Sequence, residues 1–325
     1  MAKPAPVLSI GELLIDLIAT GEATSLLDVD TLAVRPGGAP ANVAVALAQQ
    51  GVGAALCAVV GQDPFGERLV AVLDRKHVDR TRVRQDAHAD TTLAFAWKDE
   101  RGDGHFRLLR QADALLSVDL VEAAGIPELP AIVVGSVSLS MQPARTAIEI
   151  AVERAAESGV PVCFDVNMRP TIWPDRASAQ HACAQILPST TLLKLSLDDA
   201  RVLLDLEDPE NIDTVFEALS DFGCRFIVLT DGARGAWFAN KLDDGYSATV
   251  HLPAFAIEAI EPTGAGDAFM AATISRLIDR NWNPLTLDDM RYASAAGALT
   301  TTRQGAIDSL PSRDEIDAFL REYSD

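Results

Sequence analysis

The sequence predicts an α/β fold in which helices cover both faces of a mainly parallel sheet. Short apolar runs alternate with amphipathic stretches over most of the 325 residues. The runs are nearly continuous rather than alternating, as in strands that are buried on both faces. Hydrophobic residues make up 48% of the chain, which is enough for a full core. We therefore expect a single large domain spanning residues 1–325.

The individual elements follow from these patterns. Buried strands are predicted at residues 7–10, 54–60, 131–135, 162–166, 191–195 and 225–229. Amphipathic helices are predicted between them at residues 41–50, 66–76, 143–158, 177–187 and 214–222. Strand–helix alternation indicates parallel pairing, and ligands of such sheets bind beyond the carboxyl ends of the strands.

Four short strand candidates interrupt this alternation, at residues 14–19, 31–35, 91–98 and 105–110. The last two flank a polar turn at 99–104 and predict a hairpin. The four strands can form a small separate sheet, a lid subdomain built from about residues 12–36 and 90–112. The alternative is that they extend the edge of the main sheet.

Charge and cysteine usage exclude several classes of partner. The formal net charge of −20 argues against nucleic acid and anionic membrane surfaces, since both favour basic patches. There is no apolar run of about 18 residues, and the amino terminus lacks the pattern of a signal peptide. The four cysteines are scattered, which is typical of a reducing compartment. We expect a cytoplasmic protein without a membrane span.

The segment 261–267, Glu-Pro-Thr-Gly-Ala-Gly-Asp, precedes an apolar helical pattern that runs to residue 278. Glycines at a helix start expose N–H groups, and the helix dipole favours an anion there. Asp267 in the first turn would take the proton from an attacking hydroxyl, as phosphoryl transfer to an alcohol requires. The alternative is that Asp267 only caps the helix.

Two other phosphate-binding loops do not fit the chain. No Gly-Lys pair occurs, which excludes a P-loop. Phe269 stands where a dinucleotide-binding fingerprint needs a third small residue. A second glycine-rich segment, 35–42, opens the first long helix, and Asn42 offers a donor and an acceptor there. Asn42 can instead be a local turn former.

Together these motifs resemble the ribokinase-like carbohydrate kinases of the PfkB family. Residues 37–66 resemble its N-terminal signature, and 261–269 resemble its C-terminal signature, Asp-Thr-x-Gly-Ala-Gly-Asp. Two ordered signatures roughly 220 residues apart are far more specific than one. The resemblance extends from about residue 11 to about residue 311. It implies a ribokinase-like three-layer α/β/α fold with a small β-sheet lid, and an ATP-dependent kinase that uses Mg²⁺.

The resemblance also implies site residues. Asp267 is the expected base, and Arg169 is expected to clamp phosphate. The anion hole is expected at Gly264, Ala265 and Gly266, and the sugar site at Asp16, Gly37, Gly38, Asn42, Arg110 and Asn167. The nucleotide site is expected at Lys194, Thr230, Gly232, Gly235, Ala296, Gly297 and Gly305. Asp199 is expected to act indirectly on Mg²⁺, and Glu261 is expected near a monovalent cation.

The segments 164–173 and 110–116 resemble those of fructokinases and narrow the expected substrate. We expect phosphorylation of fructose to fructose 6-phosphate, with 2-keto-3-deoxygluconate kinase as the nearest alternative. Another sugar kinase, a nucleoside kinase or an inactive sugar-binding regulator fits less well. The family resemblance also allows a homodimer through the lid sheet. Sugar and ATP are the expected small-molecule partners.

Three departures from the family pattern matter. Glu261 and Pro262 replace the usual Asp-Thr, where the family often binds a monovalent cation. The longer Glu261 side chain puts K⁺ dependence in doubt, so K⁺ is a further candidate cofactor. Ser196 and Asp199 stand where many relatives have Asn and Glu in a segment that organises magnesium. Asp231 adds an acid to the nucleotide turn. The expected base and anion hole remain intact, so we expect an active enzyme.

Overall fold

The computed structural model describes residues 4–20, 25–98, 104–206 and 211–323. The strands in these ranges are β1 (Val7–Ile10), β2 (Leu14–Ala19), β3 (Leu32–Gly37), β4 (Ala54–Gly61), β5 (Asp79–Asp86), β6 (Leu93–Lys98), β7 (Gly104–Leu109), β8 (Ile132–Gly135), β9 (Val162–Asp165), β10 (Leu192–Ser196), β11 (Phe226–Thr230), β12 (Ala236–Leu242), β13 (Gly245–Tyr246) and β14 (Val250–Leu252). The α-helices are α1 (Ala39–Gln49), α2 (Pro64–Arg75), α3 (Val118–Glu122), α4 (Ala144–Glu157), α5 (Arg176–Ile186), α6 (Leu197–Leu204), α7 (Ile212–Ser220), α8 (Ala265–Asp279), α9 (Leu287–Thr301), α10 (Ala306–Ser309) and α11 (Arg313–Glu322).

The main sheet has ten strands in the order β13-β12-β11-β10-β9-β8-β1-β4-β5, with β14 pairing with β12. Every pair from β11 to β5 is parallel, and β12, β13 and β14 add an antiparallel edge. The carboxyl ends of the parallel strands therefore share one edge of the sheet. This arrangement confirms the predicted mainly parallel sheet.

Two hydrophobic cores lie on opposite faces of this sheet, because successive strand residues point to opposite sides. In β1, Val7 belongs to the core beneath α1, α2, α8, α9 and α11, and Leu8 belongs to the core beneath α3 to α7. The three-layer α/β/α architecture is therefore confirmed. No helix in the described ranges is long and apolar enough to cross a bilayer.

The four strands that interrupt the alternation form their own sheet, in the order β3-β2-β6-β7. Strands β2 and β3 pair antiparallel, β2 and β6 pair parallel, and β6 and β7 form the expected hairpin. The alternative that they extend the main sheet is wrong. Of the predicted turn at 99–104, residues 99–103 lie outside the described residues.

The sequence patterns missed the strands at the edges of the main sheet. Strand β5 is largely exposed, so it lacks the apolar run that marks a buried strand. Strands β13 and β14 have two and three residues, too few to show a period. The predicted helices all exist, with ends displaced by one to three residues, as is normal for helix termini.

Candidate active site

A pocket of about 700 Å³ lies between the small sheet and the carboxyl ends of the central strands. The small sheet contributes Asp16 and Arg35 to its wall, and the N-terminus of α8 contributes Gly264, Gly266 and Asp267. A pocket of this size can hold a small substrate together with part of a larger one. Its position agrees with the rule that ligands bind beyond the carboxyl ends of parallel strands.

Asp267 lies on the pocket wall and is bound to Asn42. The Asn42 Nδ2 donates a hydrogen bond of 2.7 Å to Asp267 Oδ2, and both side chains are buried. The N-cap of α8 is Gly264, so the interpretation of Asp267 as a cap is wrong. Asn42 lies within α1 and bonds across the fold, so it is not a local turn former. Its Oδ1 is buried without a partner in the described residues, which leaves an acceptor for a ligand.

Burial raises the pKa of Asp267, while the Asn42 hydrogen bond and the charges of Lys194 and Arg169 act in the opposite direction. A carboxyl group with a raised pKa is a stronger base once it is ionised. The environment therefore suits proton abstraction from a hydroxyl group.

The first turn of α8 provides N–H groups for an anion. The Ala265 N–H donates to Pro262 O (3.1 Å), and the Ala268 N–H donates to Gly264 O (2.9 Å). Between them, the N–H groups of Gly266 and Asp267 have no protein acceptor in the described part of the chain. These two donors, with the helix dipole, favour a bound phosphate oxygen. The Ala265 N–H therefore stabilises the turn and is not available to bind an anion.

A buried cation lies beside the same turn. Lys194, in the middle of β10, pairs with Asp165 at 3.0 Å, and its Nζ lies 2.9 Å from the position that a Cβ on Gly266 would occupy. Burial alone would lower the pKa of Lys194, but Asp165 and the more distant charges of Asp199 and Asp267 together raise it. Burial also raises the pKa of Asp165, to about 6, against the attraction of Lys194. Lys194 is therefore charged where phosphate would bind.

The sugar-side wall contains two buried acids, Asp16 and Glu12. Burial raises the pKa of Asp16 to about 7, and the charge of Arg169 opposes this. Burial likewise raises the pKa of Glu12 to about 7. Residue 37 must be glycine here, because a Cβ at this position would collide with the Asp16 carboxylate. Such carboxyl groups can accept hydrogen bonds from sugar hydroxyls when ionised and donate hydrogen bonds to them when protonated.

Arg169 reaches the pocket from the loop after β9. Its guanidinium lies over the ring of Phe106 of β7, 5.3 Å from the centroid, so it links the central sheet to the small sheet. Asp199 holds this loop, because its Oδ1 accepts from the Met168 N–H at 2.7 Å. Its Oδ2 accepts from the Ser196 N–H at 2.9 Å and caps α6. Asn167 precedes Met168 in a left-handed backbone conformation, with φ of 39°.

Arg110 is placed differently from the sugar contact expected of it. Its Nε pairs with Asp113, and its Nη1 donates to Val137 O and Ser140 Oγ. These hydrogen bonds all lie within the protein, and Arg110 does not line the pocket. The cation that acts on Asp16 is Arg169 instead.

Six of the seven expected nucleotide residues, all except Lys194, lie outside the pocket lining. Thr230 ends β11 beside the end of β10, and Gly232 and Gly235 follow in a tight turn. Ala296 and Gly297 are buried in α9, where Gly297 packs against Ala265 O of α8. The expected residues outside the pocket lining are Gly37, Arg110, Ala265, Asp199, Thr230, Gly232, Gly235, Ala296, Gly297 and Gly305.

Several lining residues were not expected from the sequence, among them Glu12, Arg35, Phe106 and Gln304. Glu12 lies two residues beyond the carboxyl end of β1, so the rule that ligands bind at strand ends would have found it. Phe106 alternates with exposed neighbours along β7 and carries no local signal of function. The expected residues that line the pocket are Asp16, Gly38, Asn42, Asn167, Arg169, Lys194, Glu261, Gly264, Gly266 and Asp267.

Known proteins resemble this chain in sequence and in fold. Fructokinase-1 of Zea mays is 34% identical over 321 residues, covering 95% of this chain and 96% of that protein. A fructokinase from Xylella fastidiosa with bound ATP superposes with a TM-score of 0.86 at 26% identity, covering 98% and 99% of the two chains. A fructokinase double mutant from Vibrio cholerae O395, with fructose, ADP and a potassium ion bound, gives a TM-score of 0.83 at 29% identity and covers 98% and 100%.

The profile of the pfkB family carbohydrate kinases matches residues 5–313. The match includes both glycine-rich segments and the buried Asp267. This chain therefore belongs to the pfkB family of carbohydrate kinases and is a phosphotransferase with a sugar acceptor.

Proposed function

We propose that this enzyme transfers the γ-phosphoryl group of ATP to fructose and forms fructose 6-phosphate. The observation that carries the proposal is the position of Asp267, a buried carboxylate directly beside the unpaired N–H groups of α8. The similarity to fructokinases, including relatives with ATP or fructose bound, supports the choice of substrates.

In this proposal the sugar lies against Asp16, Asn42 and the small sheet. Asp267 accepts the proton of the attacking hydroxyl, and the Asn42 amide keeps its carboxylate oriented. The Gly266 and Asp267 N–H groups and the Lys194 ammonium hold the transferred phosphoryl oxygens. Negative charge that develops in the transition state therefore meets groups that are already in place.

Mg²⁺ enters this proposal as the complex of ATP, where it neutralises phosphate charge. In the described ranges, no group of three or more His, Cys, Asp or Glu side chains is placed to hold a metal ion. This fits a magnesium ion that is carried mainly by phosphates and water. Asp199 would act indirectly, because one of its oxygens holds the loop before Arg169 and the other caps α6.

A monovalent cation at Glu261 fits the structure poorly. The Oε2 of Glu261 accepts from the Gly305 N–H at 3.1 Å, which leaves Oε1 as the free oxygen of this carboxylate. The Cδ and Nε of Arg35 lie 3.7 and 3.8 Å from the position of a Cβ on Gly305. The positive charge of Arg35 on this wall of the pocket would repel a cation at Oε1.

Three further parts of the proposal concern the enzyme as a whole. The small sheet serves as a lid that closes on the sugar and excludes water.

Its edge strand β7 exposes 41% of Leu109, which suits a homodimer through this sheet. The four cysteines are unpaired and buried, which supports a cytoplasmic location.

Arg169 gives a specific reason to keep a second candidate, 2-keto-3-deoxygluconate, because its guanidinium can bind a carboxylate. A coupled assay of ADP release across fructose, mannose, ribose, adenosine and 2-keto-3-deoxygluconate tests both. We expect kcat/KM for fructose to exceed that for the acid by at least about 10²-fold. A preference for the acid would replace fructose and leave the kinase assignment intact.

A further inference from the structure

Glu261 contains a polar atom that the proposed transfer does not use. Its Oε1 is buried and has no hydrogen-bond partner in the described residues, whereas Oε2 is bound to the Gly305 N–H. A buried carboxylate oxygen without a donor or a cation is costly. The expected compensation is a positive group that reaches Oε1.

Arg35 is a positive group on the same wall of the pocket. Strand β3 carries it, and its side chain packs beside Gly305, the residue that Glu261 binds. Arg35 has no hydrogen-bond or ion-pair partner in the described residues, and it does not reach Glu261 within 4.0 Å in this conformation. Asp16 is opposite Arg35 in the β2–β3 register, but the cation that acts on Asp16 is Arg169.

We propose that Arg35 is the counter-charge of Glu261, and that it replaces a monovalent cation so that this kinase works without potassium. The proposal requires the guanidinium, which packs beside Gly305 in this conformation, to move onto Oε1. An arginine suits this task because its planar N–H groups match a carboxylate and it stays charged at every working pH. The inference rests on the proposed kinase function and specifies how its anion site is held.

The contacts show how such a pair would act on the reaction. Glu261 binds Gly305, and Ala306, the next residue, lies against Gly264, whose Cβ position is 3.1 Å from Ala306 Cα. Gly264 begins the turn that exposes the α8 N–H groups. Neutralising Glu261 from β3 therefore fixes the loop that supports the anion site. Arg35 is a positioning residue, since it acts through this loop.

The test compares potassium with tetramethylammonium chloride at equal ionic strength. Wild type should keep kcat/KM within about twofold in the two salts, and Arg35→Met should lose about tenfold or more without potassium and recover with it. Arg35→Lys should retain more activity than Arg35→Met, since it keeps the charge. Arg68→Met is the matched control: Arg68 is exposed and also contacts β3, donating to Val34 O at 3.0 Å.

A readout independent of catalysis is the melting temperature of each variant in the two salts. We expect a potassium-specific rise in Tm for Arg35→Met and none for wild type or Arg68→Met. Activation of wild type by potassium of about tenfold or more would overturn the proposal. So would a loss in Arg35→Met that potassium does not restore, or the absence of any loss. If Arg35→Met fails to fold, wild type and Arg35→Lys still decide the question.

The activity and melting measurements distinguish a failure of the Arg35 proposal from a failure of the proposed kinase function. If the enzyme phosphorylates no sugar in either salt, the proposed kinase reaction is wrong. The salt dependence of Tm would still show whether Arg35 excludes a cation from Glu261.

Discussion

The Asn42 amide donates a 2.7 Å hydrogen bond to the Asp267 carboxylate, across 225 residues of sequence. This bond joins α1 to α8 and sets the orientation of the candidate base. It also leaves Asn42 Oδ1 unpaired at the pocket. One contact therefore connects sugar binding with proton transfer.

Asp267→Asn should lower kcat by about 10²–10⁴-fold and leave fructose binding nearly unchanged. The substitution keeps the shape of the side chain but removes the proton acceptor. ADP release gives kcat, and calorimetry gives the Kd for fructose. Asp198→Asn, at an exposed position of α6, is the control for the same chemical change. A kcat above about a tenth of wild type would show that Asp267 is not the base.

Asn42→Ala should shift the acid limb of the pH profile of kcat/KM to higher pH. The Asn42 hydrogen bond lowers the pKa of Asp267, so its loss raises that pKa further. Since the base works only when ionised, the activity lost relative to wild type should be greatest at low pH. The measurement is kcat/KM between about pH 5 and 9. An acid limb at the same pH in both proteins would contradict this assignment.

Gly266→Ala should reduce kcat strongly and change stability little. A Cβ at this position would lie 2.9 Å from Lys194 Nζ, and the end of a flexible side chain can move away. That movement takes the ammonium from the anion site and disturbs its pair with Asp165. We expect a loss in kcat of about tenfold or more, with Tm within a few degrees of wild type. Wild-type kcat would argue against a role for Lys194 in transfer.

Asp16→Asn should stabilise the unliganded enzyme at pH 8 while weakening sugar binding. Burial raises the pKa of Asp16 from 3.8 to about 7, so the folded state binds the proton more tightly than the unfolded state does. The contribution of Asp16 to stability therefore falls as pH rises from about 4 to about 7. The Tm advantage of Asp16→Asn should be present at pH 8 and vanish near pH 4. An equal Tm at pH 8 would contradict the shift.

Hydrogen exchange should slow in the small sheet when fructose binds. If β2, β3, β6 and β7 close on the sugar, their amides open less often, whereas β8 and β9 in the main sheet are already protected. Exchange monitored by mass spectrometry with and without saturating fructose gives the comparison. Equal exchange of the small sheet in both conditions would exclude closure as a lid.

The sequence by itself determined the features that depend on local patterns. Apolar runs alternating with amphipathic stretches predicted the parallel sheet, because a strand that is buried on both faces has a nearly continuous apolar sequence. The segment 261–267 predicted the anion site and its adjacent acid, because glycines, helix start and Asp267 are neighbours in the chain.

Only the tertiary structure decided which distant groups meet. Arg110 has the residue type expected for a sugar contact, yet it is held by Asp113, Val137 and Ser140. Lys194 lies over Gly266 and Asn42 binds Asp267, although neither partner is near in sequence. Such pairings depend on how strands and helices pack, and a long side chain can reach several partners from one position. The sequence pattern predicts the elements and their ends, but the packing chooses the partners.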